Sequence, residues 1–184
     1  MNTLQIILII IAVLILFIIF LYNRLINLNN RCKNAWSGID NQLKRRNDLI
    51  PNLIEVVKGY AAYEKDTLNQ VVEARNKVLT AVSLKDSSIA SDQLSDALTH
   101  VFMLSEAYPA LKANTSFERL QIELVGTEDK IAYARQFYND SVQLYNDKIL
   151  VFPNNIFANM LHFTNKEYFK VDDKEKELVK VDFK

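Results

Sequence analysis

The residues most able to do chemistry in this chain are two histidines, and their spacing is not that of a known metal site. A di-iron centre in a helical bundle needs a glutamate three residues before each of two histidines. Those positions hold Ala97, before His100, and Asn159, before His162. The sequence also contains no glycine-rich phosphate loop and no Gly-x-Ser-x-Gly nucleophile motif. We therefore expect no catalytic residue, no metal and no cofactor, and hence a protein that is not an enzyme.

The single cysteine, Cys32, is expected to be a buried packing group. It lies on a stripe of apolar residues at helical spacing, where a thiol behaves as a small hydrophobic side chain. A nucleophilic thiolate is the alternative, and it requires a partly exposed, electropositive setting. One cysteine cannot form a disulfide within the chain.

The densest basic cluster consists of Lys44, Arg45 and Arg46, with Asp48 close behind it. Such a cluster could contact anionic lipid headgroups or the acidic face of a partner protein. If the helix is straight, the basic cluster lies about 30 Å away from a membrane that holds the N-terminal segment. A solvated helix face with local ion pairs is therefore the favoured interpretation.

An apolar segment at residues 152–163 is a second candidate contact. It contains large side chains, among them Phe157, Met160 and Leu161. These residues can cap the core at one end of the domain, which is the interpretation that we favour. The alternative is an exposed patch for a partner protein or a bilayer.

A set of polar residues shares the last predicted long helix with two tyrosines of the apolar stripe. Buried tyrosine hydroxyls need hydrogen-bond partners, so the set predicts a buried polar network that fixes the packing of the helix. A ligand pocket is the alternative. The members are Arg135, Tyr138, Asn139, Asp140, Tyr145 and Asn146.

The N-terminal segment has the composition of a membrane anchor. Residues 6–22 form 17 consecutive positions without a charged or strongly polar side chain, and a bilayer core needs roughly 20 apolar residues in a helix. The flanks lack the basic start and small-residue cleavage site of a secretory signal, so we expect an anchor that stays attached. The predicted lipid contacts are Leu4, Ile6, Ile10, Leu14, Phe17, Leu21 and Tyr22.

Charges next to this segment predict its orientation. Arg24, Arg31 and Lys33 follow it, and the first acidic residue is Asp40. By the positive-inside rule, the domain after the anchor lies in the cytoplasm of a bacterial cell and the N-terminus lies outside.

Composition and spacing predict an all-α protein. The chain of 184 residues has only three glycines and three prolines, and its 22 basic and 22 acidic residues give no net charge that would attract nucleic acid. Apolar residues recur every seven positions, most regularly at Phe117, Leu124, Ile131, Tyr138, Tyr145 and Phe152. We predict an N-terminal transmembrane helix followed by a long antiparallel bundle of three to four helices.

The predicted helices cover residues 24–83, 88–112 and 116–151. The first is expected to be kinked at 47–51, near Pro51, and two helices with a short break are the alternative. Capping residues are expected at 86–88, at Thr115 with Glu118, and at Asn154 or Asn155. The resulting division is an anchor at 1–23, a bundle at 24–163 and a charged, loosely ordered tail at 164–184.

Several motifs make the chain resemble the LemA family of bacterial proteins. The most specific is QLKRRNDLIPNL at 42–53, and VKGY at 57–60, EAYP at 106–109 and RQFYND at 135–140 follow it in order. The resemblance implies a single N-terminal membrane segment with an antiparallel helical bundle, and no catalytic residue. We therefore expect a membrane-anchored scaffold that binds partner proteins, including a second copy of itself. A lipid-binding or membrane-remodelling oligomer is the alternative.

Overall fold

The computed structural model describes residues 2–169, and within them every regular element is a helix. The prediction of an all-α protein is therefore confirmed. The helices are α1 (Thr3–Lys58), α2 (Lys65–Thr80), α3 (Leu84–Ala107), α4 (Pro109–Lys112), α5 (Thr115–Leu150) and α6 (Asn154–Met160).

The described chain forms two compact units. The first consists of residues 2–38 and 136–168, and the second consists of residues 39–135 with Phe169. In the first unit, Cys32 contacts Ser141 and Trp36 contacts Tyr138, so α1 and α5 run antiparallel there. In the second unit, the core is built from α1 to α5, and its buried members include Ile50, Leu53, Leu94, Val101, Phe117 and Leu124.

Helix α1 differs from the predicted first helix at both ends. It includes the apolar segment, continues through Pro51 and ends at Lys58, so the predicted helix at 24–83 is wrong. The break is at 59–64, because Gly59 is a poor helix former and tighter turn bonds follow, such as the one from Gly59 N to Val56 O at 3.2 Å. Pro51 itself removes only one helical hydrogen-bond donor.

Helix α3 begins earlier than predicted because Ser83 caps it. The Ser83 hydroxyl oxygen accepts a hydrogen bond from Asp86 N at 3.0 Å and the hydroxyl donates to the Asp86 carboxylate at 2.6 Å. Ser87 and Ser88 are buried inside the helix, so the predicted caps at 86–88 are wrong. Helix α3 ends before Tyr108, because the following Pro109 disfavours helical angles there.

Helix α5 is capped by Asn114, one residue before the predicted cap. The Asn114 side-chain oxygen accepts from the backbone N–H groups of Ser116 at 2.9 Å and Phe117 at 3.0 Å. The amide oxygen of Asn114 therefore takes the role predicted for Thr115, which becomes the first residue of the helix.

Helix α6 ends in a Schellman turn. His162 has a positive φ of 58°, His162 N donates to Asn159 O, and Phe163 N donates to Ala158 O at 2.9 Å. Pro153 occupies the N-cap position and no side chain caps the helix, so the predicted cap at Asn154 or Asn155 is wrong. The turn reverses the chain and brings Phe163 against Tyr22.

Residues 164–169 are ordered against α5, contrary to the expectation for the charged tail. The backbone of Thr164, Lys166 and Glu167 accepts hydrogen bonds from α5 side chains, and Phe169 is buried. The remaining part of the predicted tail, 170–184, lies outside the described residues.

Candidate functional site

The predicted anchor forms the first turns of α1 and leaves its apolar side chains uncovered. Within residues 2–169, α1 is the one helix long and apolar enough to cross a membrane. Six of the seven predicted lipid contacts are exposed, namely Leu4, Ile6, Ile10, Leu14, Phe17 and Tyr22. Leu21 is the exception, with 5% of its surface exposed. The first unit of the protein covers it, so Leu21 packs against protein and not lipid.

The apolar segment after α5 lies beside the end of the anchor. The rings of Phe163 and Tyr22 meet edge to face with their centroids 6.4 Å apart. Of the predicted contact residues, Met160 and Leu161 are exposed and Phe157 is half-buried. Phe152 is 75% exposed, so the seven-residue core stripe of α5 ends before it. This segment packs on α1 through Phe163 and leaves Phe152, Met160 and Leu161 exposed.

The three residues of the basic cluster at 44–46 differ in burial. Lys44 and Arg45 are exposed, whereas Arg46 is fully buried. Arg46 cannot contact a lipid or a partner surface, so that prediction is wrong for this residue. Its position on the core stripe of α1 turns the guanidinium inward, toward α3 and α5.

Arg46 is held by a buried cluster of polar partners in the second unit. One terminal nitrogen donates to Ser95 Oγ at 3.0 Å and to the Glu128 carboxylate, with which it forms an ion pair. The other terminal nitrogen donates to the Ser91 hydroxyl at 2.6 Å and to the Ser91 carbonyl at 3.1 Å. Ser95 also donates to Glu128 at 3.0 Å, so the cluster links α1, α3 and α5.

Electrostatics in this cluster favour a charged Arg46 despite its burial. Burial lowers the pKa of the guanidinium, and the Glu128 carboxylate opposes that shift. An arginine side chain remains a cation under these conditions. The cluster therefore stabilises the packing of three helices, and the buried guanidinium of Arg46 is not available for binding.

Arg135 belongs to the same unit as Arg46, whereas the tyrosines of the predicted network belong to the first unit. Its guanidinium lies 2.8 Å from the Asp92 carboxylate and stacks over the Phe169 ring, with 4.7 Å between the guanidinium carbon and the ring centroid. The prediction of a single network is therefore wrong for Arg135.

Three of the other five members of the predicted set bind the extended chain that follows α6. The hydroxyls of Tyr138 and Tyr145 each donate at 3.1 Å, to Glu167 O and Thr164 O respectively. The Asn146 amide donates to Lys166 O and accepts from Lys166 N, both at 2.9 Å. Asp140 is exposed and Asn139 is half-buried.

The hydrogen bonds in this arrangement all go to backbone atoms of the segment that follows α6. Asn146 pairs with both polar backbone groups of Lys166, as a neighbouring β-strand would. The Lys166 ammonium lies over the Tyr145 ring at 5.3 Å. Burial raises the pKa of both Tyr138 and Tyr145, so their hydroxyls remain donors at neutral pH.

Cys32 is buried, as predicted, and its thiol donates to Ser141 O at 3.2 Å. Burial raises the pKa of this thiol, and the positive charges of Lys166 and Arg31 oppose the shift. A protonated, enclosed thiol has the properties of a packing group.

Sequence reasoning missed the partners of Arg46, which are Ser91, Ser95 and Glu128. One signal was available, because Arg46 interrupts the apolar stripe of α1 at a core position. A second signal is the four-residue spacing of the two serines, which places them on one face of α3. Both signals indicate a buried polar contact, but neither identifies Glu128.

Comparison with known proteins gives one family and several relatives. Residues 35–183 match the LemA family model. The chain is 28% identical over 158 residues to Protein LemA of Metamycoplasma hominis, which covers 84% of this chain and 71% of that protein.

Magnetosome proteins are also similar to the chain. It is 23% identical over 175 residues to Magnetosome protein MamQ 2 of Paramagnetospirillum magneticum, covering 81% of this chain and 64% of that protein. It is 22% identical over 174 residues to Magnetosome protein MamQ of Magnetospirillum gryphiswaldense, covering 80% of this chain and 64% of that protein. The chain thus spans less than two thirds of the length of these two relatives. None of the relatives' names denotes a reaction.

Proposed function

Because the chain belongs to the LemA family, we propose that it is a non-enzymatic helical scaffold that binds partner proteins at the surface of a bacterial membrane. The observation that carries this proposal is the exposed apolar surface of α1 between Leu4 and Phe20, which is continuous in one helix with a folded, mostly polar domain. Such a surface is unfavourable in water and matches the interior of a bilayer.

An exposed stripe on α5 supports a role in protein binding. Ile122, Val125 and Tyr133 are at least half exposed, while Leu124 and Ile131 on the opposite face are buried. Apolar side chains at helical spacing suit a helical partner, including a second copy of this chain.

Photocrosslinking in native membranes tests the scaffold. We expect a photoreactive amino acid at Val125 to give a discrete product of higher mass, and mass spectrometry of that product separates a foreign protein from a second copy of the chain. Glu123 is exposed on another face of α5, and the same amino acid there is the control. Recovery of monomer alone from both positions would contradict the scaffold proposal.

A second candidate function is lipid contact by the end of the first unit. The contact between Phe163 and Tyr22 favours it, because it puts the exposed Phe152 and Met160 in the same unit as the last turn of the anchor. Exposed apolar side chains near the last turn of a membrane anchor suit the boundary between headgroups and acyl chains.

Brominated lipids test this contact with a single tryptophan. Trp36 is replaced by Phe, and a new tryptophan is introduced at Phe152. Its fluorescence should be quenched in vesicles with brominated acyl chains. Tyr63→Trp in the same background is the control, because Tyr63 is 95% exposed in the second unit. Equal quenching at both positions would refute a specific lipid contact.

We also propose that the domain lies in the cytoplasm, on the basis of Arg24, Arg31 and Lys33. The natural thiol is buried, so the test uses Lys44→Cys in a Cys32→Ala background. An impermeant thiol reagent should label it only after the cells are opened. Asn2→Cys in the same background should be labelled in intact cells, and the reverse pattern would overturn the orientation.

A further inference from the structure

A cationic cleft lies where α1 leaves its apolar segment. Its volume is about 650 Å³, within the usual range for small-ligand pockets. It lies entirely within the first unit, between one face of α1 and one face of α5. On α1 the lining positions are 20, 23, 24, 27, 28 and 31, and on α5 they are 144 and 148. Spacings of three and four residues put each set on a single helix face.

The polar lining is entirely basic or neutral. Arg24, Arg31 and Lys148 supply three positive charges, and Asn23 and Asn27 supply two neutral amides. None of the eight described lining residues is acidic. Arg31 marks the outer end of the cleft, where its guanidinium carbon lies 5.5 Å from the centre of the Phe137 ring. An anion in this cleft would face several charged donors and no carboxylate of the lining.

Three of the lining residues are apolar: Leu28 and Leu144 lie one helical turn from Arg31 and Lys148, and Phe20 lies at the N-terminal end of the cleft. Phe20 belongs to the exposed segment of α1, and Arg24 follows it after one helical turn. The cleft extends along α1 for about 16 Å, from the level of Phe20 to that of Arg31. A ligand that fits the cleft therefore has negative charge near Arg24, Arg31 and Lys148 and an apolar part beside Phe20.

We infer that this cleft binds the phosphate-containing headgroup of an anionic phospholipid, with an acyl chain lying along Phe20. Basic pockets beside membrane-spanning helices suit this chemistry. The inference rests on the proposed membrane position of α1 but not on any protein partner. It also differs from the proposed lipid contact of Phe152 and Met160, because it selects lipid charge.

The test uses the full chain in nanodiscs of equal parts phosphatidylglycerol and phosphatidylcholine. Native mass spectrometry then counts the lipids that remain bound after gentle release. We expect phosphatidylglycerol to be retained in preference, and Arg24→Gln/Arg31→Gln/Lys148→Gln to bring the ratio close to one. The control is Lys44→Gln/Arg45→Gln/Lys130→Gln, which removes three exposed cations elsewhere and should keep the preference.

A matched pair of single variants avoids removing the cations. Asn27→Asp puts a carboxylate into the cleft, and Asn30→Asp puts the same charge on α1 outside the lining. Asn27→Asp should lower the preference about fivefold, because a carboxylate about 4 Å from a bound phosphate repels it by roughly 1 kcal/mol even in water. Asn30→Asp should leave it within about twofold of the parent. Equal effects of the two variants would overturn the site.

Two further outcomes separate the remaining alternatives. If excess inorganic phosphate abolishes the preference, the cleft binds free phosphate and the lipid assignment is wrong. If the chain inserts but retains both lipids equally, the cleft has no headgroup specificity and the headgroup assignment is wrong. The proposed membrane anchor is then still supported, because the chain has inserted. A chain that does not enter nanodiscs would overturn both the anchor and this site.

Discussion

The guanidinium of Arg46 is completely buried, whereas the side chain of its ion-pair partner Glu128 is 42% exposed. The two ends of this ion pair therefore differ in their access to water. If Arg46 is lost, Glu128 can be solvated. If Glu128 is lost, the charge of Arg46 stays in the core with only serine partners.

The first prediction follows from this asymmetry. Glu128→Ala should lower the free energy of unfolding by about 3 kcal/mol, because it leaves a buried charge unpaired. Arg46→Met keeps the apolar stem and removes the charge, so its cost should be smaller, about 1 kcal/mol. Thermal unfolding of the full chain in detergent, followed by circular dichroism, measures both. Glu123→Ala, at an exposed position of α5, is the control. A larger loss for Arg46→Met than for Glu128→Ala would contradict this account.

The second prediction concerns alkaline pH and Cys32. Burial raises the pKa of this thiol above its ordinary value of 9.0, so the folded protein holds the proton more tightly than the unfolded chain does. The resulting stability is fully present below that ordinary value and is lost as the pH rises through the raised pKa. Unfolding temperatures measured from pH 7 upward should fall above about pH 9. Cys32→Ala should reduce the slope, and an identical slope in the variant would show that other groups cause it.

The third prediction concerns the two hydrogen bonds between the Asn146 side chain and the Lys166 backbone. Asn146→Ala removes two hydrogen bonds to the backbone, each with a net contribution of about 1 kcal/mol. The segment at 164–167 should then detach transiently, and trypsin should cleave after Lys166 several times faster than in the parent. Gln143→Ala, at an exposed position on the same helix, should leave the rate unchanged. Unchanged cleavage in Asn146→Ala would mean that other contacts hold the segment.

The fourth prediction concerns the left-handed conformation of His162. Glycine adopts this conformation without the steric cost of a Cβ atom, so His162→Gly should raise the stability of the protein by up to about 1 kcal/mol. His162→Val should lower it, because a β-branched residue is poorly accommodated at positive φ. Unfolding temperatures of the two variants should move in opposite directions, and a decrease in both would indicate that the imidazole makes a contact of its own.

Local patterns determined much of what could be predicted. The seven-residue spacing of Phe117, Leu124 and Ile131 identified buried positions correctly, because a helix presents such residues on one face. The unbroken apolar composition of residues 6–22 identified the candidate membrane span, because a span needs apolar side chains on every face. The burial of Arg46 depends on residues 45 to 82 positions away in the chain, and no local pattern contains them.

Helix ends were harder to predict because neighbouring residues compete for the same role. Asn114 and Thr115 can both cap a helix, and the backbone geometry of the turn after α4 selects Asn114. The apolar stripe keeps its spacing from Val57 to Val71 although the helix is interrupted at 59–64. The stripe therefore concealed the end of α1 at Lys58.

The burial of Leu21 affects which membrane thickness suits the proposed anchor. In the proposed membrane position, protein covers one face of α1 at the level of Leu21 and Leu25, so the stretch of α1 without a buried residue runs only from Leu4 to Phe20. That length is about 24 Å, against roughly 30 Å for an average hydrocarbon core. Such hydrophobic mismatch is relieved by local thinning of the bilayer beside that face. Bilayers with shorter acyl chains should therefore accommodate the anchor at lower elastic cost than bilayers with longer ones.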